Sequence, residues 1–155
     1  MAKKGANMQQ LRIMPDIIQN QTITSLTATR SVLEGAKLMA EKNVAAIIIV
    51  DDGKLSGIVT ERDLTQRVLA KGMDAKKTSI GDIMTKDPDT LSPGDSAIDA
   101  LELMSVRNYR HLPVVENGEV VGMVSIRDLY SAVKTGLEAD IRKTEAFVFG
   151  DRYGA

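Results

Sequence analysis

The chain repeats itself at a spacing of 65 residues. Gly57-Ile58-Val59-Thr60-Glu61-Arg62-Asp63-Leu64 returns as Gly122-Met123-Val124-Ser125-Ile126-Arg127-Asp128-Leu129. The echo runs backwards without a gap. From Thr22 to Leu64, 12 of 43 positions are identical to their partners, among them Leu26, Ser31, Met39, Asn43, Gly53 and Gly57. Ordinary composition would give roughly two or three. A duplicated unit restricts the fold to a pseudo-symmetric pair with a cleft between the halves, and function is expected in that cleft.

Bulk properties narrow this further. A chain of 155 residues is about one ordinary domain. A repeat of roughly 55–60 residues is marginal as an independent core, so the halves are expected to bury apolar faces against each other. The net charge of −1 argues against nucleic acid, whose phosphates demand a basic surface. The absence of cysteine excludes disulfides, thiol nucleophiles and cysteine-bound zinc. A single histidine, His111, excludes a multi-histidine metal site within one chain. The longest apolar run, Val44 to Val50, is too short to cross a membrane. No signal peptide is read at Met1-Ala2-Lys3-Lys4-Gly5, and a cytoplasmic location is expected.

Each repeat carries the same local grammar. Ser31-Val32-Leu33-Glu34 reads as a capping box opening a helix. Val32, Leu33, Ala36, Met39 and Ala40 form its apolar face, and Asn43 ends it. Ala45 to Val50 is a continuous apolar run and predicts a buried strand. Asp51-Asp52-Gly53-Lys54 is a turn. Leu55 to Val59 is the returning strand, and Thr60 caps a second helix to about Ala70, with Leu64, Val68 and Leu69 inward. In the second repeat Ser96 opens the first helix and Ile98, Leu101 and Met104 face inside. Leu112 to Val115 and Val120 to Val124 are the strands, Glu116 to Glu119 the turn, and the last helix starts at Ser125. Short matching segments, Asp16-Ile17-Ile18 and Asp82-Ile83-Met84, precede the repeats. Met39, Met104 and Met123 read as core filler.

These residues resemble a known family. A strand-helix-strand-strand-helix unit bearing glycine, an apolar pair, a hydroxyl residue, two variable positions, aspartate and an aliphatic residue is similar to a CBS domain. Two in tandem resemble a CBS pair, or Bateman module, and Arg110-His111-Leu112-Pro113-Val114-Val115 is typical of it. The resemblance covers about residues 12 to 136 and suggests a stand-alone CBS-pair protein. It implies an α/β fold of the α+β type, with two pseudo-symmetric β-α-β-β-α repeats. The expected organisation is a flexible N-terminus (1–11), repeat one (12–72), a linker (73–79), repeat two (80–136) and a C-terminal tail (137–155). The resemblance also implies two clefts for adenosine-containing ligands such as AMP, ADP, ATP, S-adenosylmethionine or reduced nicotinamide dinucleotide. It implies association into disc-like dimers.

On that reading Thr60 and Ser125 stand where a strand becomes a helix, a place that favours anions. Asp63 and Asp128 are candidates to accept from ribose hydroxyls, and Arg62 and Arg127 to bind phosphate. Gly57 and Gly122 would let backbone approach a ligand closely. The same Thr/Ser-x-x-Asp pattern also suits a plain capping box, worth about 1 kcal/mol each. Arg110 and His111 either place positive charge near phosphates or form a solvated strand entrance. Ala45 and Ala46 stand in their place in repeat one, so two unequal clefts are expected. In the family, Thr22-Ile23-Thr24 and Pro88-Asp89-Thr90 correspond to the adenine pocket. The candidate ligand-binding set is thus Thr60, Arg62, Asp63, Ser125, Arg127, Asp128, Arg110, His111, Thr22, Ile23, Ala45, Ala46 and Pro113. No metal or required cofactor is expected.

The function expected is a non-catalytic sensor that passes occupancy by an adenine nucleotide to a client protein, as a homodimer. A P-loop, a dinucleotide fingerprint and a local nucleophile–base constellation are all missing from the sequence. The alternative is a ligand-independent homodimeric scaffold. Its motivation is the tail, where Phe147, Phe149 and Tyr153 invite docking on a partner or on the chain itself.

Overall fold

The computed structural model describes residues 10–150, apart from the side chains of 137–140, 143 and 145–150. Of the tail aromatics, Tyr153 lies outside the described residues, as do the side chains of Phe147 and Phe149. The fold is mixed α/β and contains the duplicated unit. Repeat one holds β1 (Ser25–Leu26), α1 (Val32–Lys42), β2 (Ala46–Asp51) and β3 (Lys54–Thr60). Its last helix has a first turn, α2 (Glu61–Asp63), and continues with wider turns over Leu64–Leu69. After a short helical turn at Ile80–Asp82 comes β4 (Thr85–Lys86). Repeat two holds α3 (Ala97–Arg107), β5 (His111–Glu116), β6 (Glu119–Ser125) and α4 (Ile126–Gly150).

The chain forms two packing units that do not follow the repeat boundaries. One comprises residues 20–92 and 111–123. Its four-stranded sheet has the order β1-β2-β3-β4, with β1 parallel to β2 and the other pairs antiparallel. The other comprises, among the described residues, 10–19, 93–110 and 124–150. There α3 and α4 pack together with an irregular turn at Ile13–Ile17. Leu11 is tied to this unit, its carbonyl accepting from Ala97 N at 2.9 Å.

The central strand β2 is covered on both faces, which is why its sequence does not alternate. Ile47 and Ile49 enter a core with Val32, Met39, Val59, Val68, Ile80 and Ile83. Ala46 and Ile48 face the other way, against Ile58, Ile23, Val120 and Met123. The hairpin turn places Asp52 at φ 50° and Gly53 at φ 75°, and the second turn repeats this at Asn117 and Gly118. Two consecutive positive φ values are what a right-twisted two-residue hairpin requires. Asn43 and Asn108 end α1 and α3 in the left-handed region. Val44 N and Tyr109 N then reach back to the carbonyls of Met39 and Met104 at 3.0 and 2.9 Å.

The echo extends to strand register. Leu26 pairs in parallel with Ile49, and its counterpart Leu91 pairs in parallel with Val114, the counterpart of Ile49.

Three local expectations are corrected. Leu69 is 78% exposed rather than inward. Val68 takes the core position, and adjacent helical residues lie about 100° apart, so both cannot face one core. Ala40 is likewise turned out beside buried Met39. The α1 capping box is half formed: Ser31 Oγ accepts from Glu34 N at 3.1 Å, but the Glu34 carboxylate pairs with Arg30.

Candidate ligand-binding site

A cleft of about 350 Å³ opens in the unit that holds the four-stranded sheet. That falls within the roughly 300–1,000 Å³ range of small-molecule sites. Its wall is formed by the entry segment Gln21 to Thr24, by Val44, Ala46 and Ile48, and by Met123 from the second repeat. None of these side chains is charged. The entry segment is fixed by backbone: Ile48 N donates to Thr24 O at 3.1 Å. Met123 N donates to Gln21 Oε1 at 2.9 Å.

Ala46 on the cleft wall pairs in register with Thr60 at the end of β3. Thr60 begins a complete capping box. Its N–H donates to Asp63 Oδ2 at 2.9 Å, its hydroxyl to the same oxygen at 3.2 Å, and Asp63 N donates to Thr60 Oγ1 at 3.4 Å. The other carboxylate oxygen, Oδ1, faces Arg67 Nε at 3.5 Å. Asp63 is therefore held in one orientation, with a side chain 14% exposed. Glu61 N, the first donor of the helix, is taken by Ala45 O at 3.0 Å.

The other unit holds the same arrangement at Ser125. Ser125 N donates to Asp128 Oδ2 at 2.8 Å, and Asp128 N to Ser125 Oγ at 3.1 Å. Ile126 N is taken by Arg110 O at 2.8 Å, the counterpart of Ala45 O. The first and third N–H groups of both helices are thus bonded within the protein.

The family profile described as the CBS domain matches residues 16–70 and 80–135. The chain belongs to the CBS domain family. A mitochondrial CBS domain-containing protein of Arabidopsis thaliana, CBSX3, is 33% identical over 129 residues, covering 80% of this chain and 63% of that protein. A second Arabidopsis protein, CBSCBSPB2, is 39% identical over 105 residues, 66% of this chain and 20% of its own length. The chain thus spans less than two thirds of these curated relatives. Among solved structures, the CBS domain protein PAE2072 of Pyrobaculum aerophilum, complexed with AMP, has 30% identity and a TM-score of 0.69. The alignment covers 76% of this chain and 89% of that one.

Against this CBS framework the candidate residues separate into two groups. Thr22, Ile23 and Ala46 line the cleft, Thr60 ends β3, and Arg62 and Asp63 follow it in the same unit. Ala45 contributes its carbonyl to the helix start. His111 begins β5, half-buried, and buried Pro113 accepts from Leu91 N at 2.9 Å. Arg110, Ser125, Arg127 and Asp128 belong to the other unit, where both arginines are exposed. Thr24, read with Thr22 and Ile23 as part of the adenine pocket, also lines the cleft; sequence reasoning did not single out Gln21, Val44 and Ile48 as cleft wall, and it read Met123 as core filler. The hydrogen bond from Met123 N to Gln21 joins positions 102 apart, so no local pattern announces it. The close approach at Gly57 is made by Met84 and Thr85 of the protein itself.

Among the described residues, no helix is long and apolar enough to cross a membrane, and no acidic, histidine or cysteine cluster is arranged to hold a metal ion.

Proposed function

We propose that this CBS pair is a non-catalytic regulatory sensor that binds an adenosine-containing ligand in the Gln21–Met123 cleft. The observation that carries the reading is the registered pairing of Ala46 on the wall of an uncharged cleft with Thr60, one helical turn before an oriented, partly buried carboxylate. An apolar wall suits a flat heteroaromatic base, and a fixed carboxylate suits the vicinal hydroxyls of a ribose. The solved relatives support the class: PAE2072 holds AMP, and the CBS pair of MJ0100 holds 5′-methylthioadenosine and S-adenosyl-L-methionine. The latter is 30% identical with a TM-score of 0.72, over 81% of this chain and 97% of that one. The same role is assigned to Ser125 and Asp128 in the other repeat, with Arg62, Arg127, Arg110 and His111 as groups for a charged ligand's phosphates. Occupancy is then passed to a client protein by differential affinity for two conformations.

Calorimetric titration with AMP tests the site. Asp63→Asn keeps the side chain's size but removes the charge, and is expected to weaken AMP binding about 10-fold or more, as loss of a charge-assisted hydrogen bond does. Unchanged affinity in both Asp63→Asn and Asp128→Asn would remove the ribose assignment.

Self-association belongs to the same proposal. Leu69 and Val106 are 78% and 76% exposed, and Tyr130 is also turned outwards. Exposed apolar side chains mark a surface that partners cover only where they form a contiguous patch, so the mass in solution decides this part of the proposal. Light scattering is expected to return twice the 16.8 kDa chain mass, and a monomeric mass at micromolar concentration would count against a homodimer.

A further inference from the structure

We propose that Arg67 ties the Asp63 carboxylate to the segment leading into the second repeat, so that engagement of Asp63 is read at β4. The regulatory half of this proposal rests on the ligand reading above; the physical coupling does not. Arg67 lies one helical turn beyond Asp63, on the same face. Its Nε faces Asp63 Oδ1 at 3.5 Å, while its Nη1 donates to Ile83 O at 2.9 Å and to Met84 O at 3.3 Å. One planar guanidinium therefore joins the candidate ligand carboxylate to two successive carbonyls of the inter-repeat segment. Few other side chains can do this, because only arginine presents five donors in a fixed fork.

Asp63 divides its two oxygens between two tasks. Oδ2 belongs to the helix cap, with both Thr60 donors on it. Oδ1 belongs to Arg67. A ribose hydroxyl that donates to Asp63 must share or displace the Arg67 contact, since the cap holds the other oxygen. The guanidinium is rigid, so a shift at Nε is felt at Nη1 and hence at the carbonyls of Ile83 and Met84.

The receiving segment is suited to respond. Ile83 is anchored in the core beside Ile47, Ile49 and Val59. Immediately after it, β4 has two residues, paired with β3 only at Gly57 and Ile58. A strand so short has little stability of its own, and the few bonds at its entrance weigh heavily in its local opening. Asp87 N, bonded to Ser56 O at 3.2 Å, closes the same stretch and reports on it. The counterpart of Arg67 in the second repeat is Ala132. The second capping box lacks an arginine at this position, so the device belongs to the first repeat alone.

Amide hydrogen exchange over residues 80–87 tests the coupling in the ligand-free protein. Wild type is compared with Asp63→Asn, Arg67→Gln and the double variant. Each single change is expected to speed exchange in this segment about 2- to 5-fold, the range for losing a partly exposed charged contact. The double variant is expected to exchange no faster than Arg67→Gln, because the two residues act through one connection. If Asp63→Asn leaves the segment unchanged, or if the two effects multiply, Arg67 merely caps two carbonyls and the proposal falls. Arg67→Lys, which keeps charge and packing but cannot span both partners, is expected to match Arg67→Gln; wild-type exchange in it would overturn the proposal.

A second arm uses saturating AMP. The ligand is expected to change exchange over 80–87 in wild type, and to leave that segment unchanged in Arg67→Gln while still binding. An equal response in both proteins overturns the relay. Failure of AMP to bind wild type counts against the ligand reading instead, and is told apart because the ligand-free cycle decides the coupling without it.

Discussion

Gly57→Val is expected to destabilise the protein by about 3 kcal/mol or more, the upper range for forcing volume into a packed site. Gly57 sits on β3 opposite Lys86 of β4. A Cβ built there lies 2.5 Å from Met84 Sδ and 2.8 Å from the Thr85 carbonyl oxygen. The methionine can swing aside. The carbonyl is backbone, fixed by the pairing of Ile58 with Thr85, and can retreat only by breaking that register. Interiors packed to crystalline density do not absorb such a displacement cheaply. For a chain of this size the melting point should fall by about 6–12 °C. Gly57→Ala should lie between valine and wild type. Gly94→Ala is the control, since nothing lies within 4 Å of its added Cβ. Thermal unfolding of the three variants measures the series. Equal melting points for Gly57→Val and wild type would mean that β4 does not rest on this edge in solution.

Gly57 also shows where sequence stops being informative. Its place in the repeated octapeptide marks it as special, but two causes leave the same mark: a ligand approaching the backbone, or another strand doing so. Only the pairing of β3 with β4 distinguishes them, and β4 is two residues with no periodicity to announce it. The strongly periodic elements were legible because local chemistry dictates them. Ser31 and Ser96 start helices, Asn43 and Asn108 end them, and Asp52-Gly53 and Asn117-Gly118 fold hairpins. Register was not read from the sequence: Leu26 and Leu91 stood out only as a repeated leucine, and their equivalent parallel pairings appear in the structure. The grouping of the β5 and β6 residues 111–123 with repeat one was not legible either, since both repeats carry the same apolar grammar. The cleft wall was half legible. Thr22, Ile23 and Ala46 follow from the family likeness, whereas Gln21 and Met123 meet through a side-chain-to-backbone bond that no motif encodes.

An adenosine ligand at 100 times its dissociation constant is expected to stabilise the native state by about 2.7 kcal/mol. For this chain length that is a rise of about 5–10 °C in melting point. AMP, ADP, ATP, reduced nicotinamide dinucleotide, S-adenosylmethionine and 5′-methylthioadenosine form the informative panel, because the cleft separates the contributions of their parts. Its wall is uncharged, from Gln21 to Met123. The nucleoside portion should therefore supply the affinity common to all six, through burial of the base and the hold of Asp63 on the ribose. Discrimination among phosphates must come from groups off the wall, such as half-buried Arg62. Uncharged 5′-methylthioadenosine isolates the first contribution. It should raise the melting point to within a few degrees of AMP, and the rise should shrink in Asp63→Asn at the same ligand concentration. A response confined to phosphorylated ligands and indifferent to Asp63→Asn would move the binding energy from the cleft to surface cations. No response to any of the six would leave the capping box as the whole role of Thr60 and Asp63, and the scaffold function as the better account of the chain.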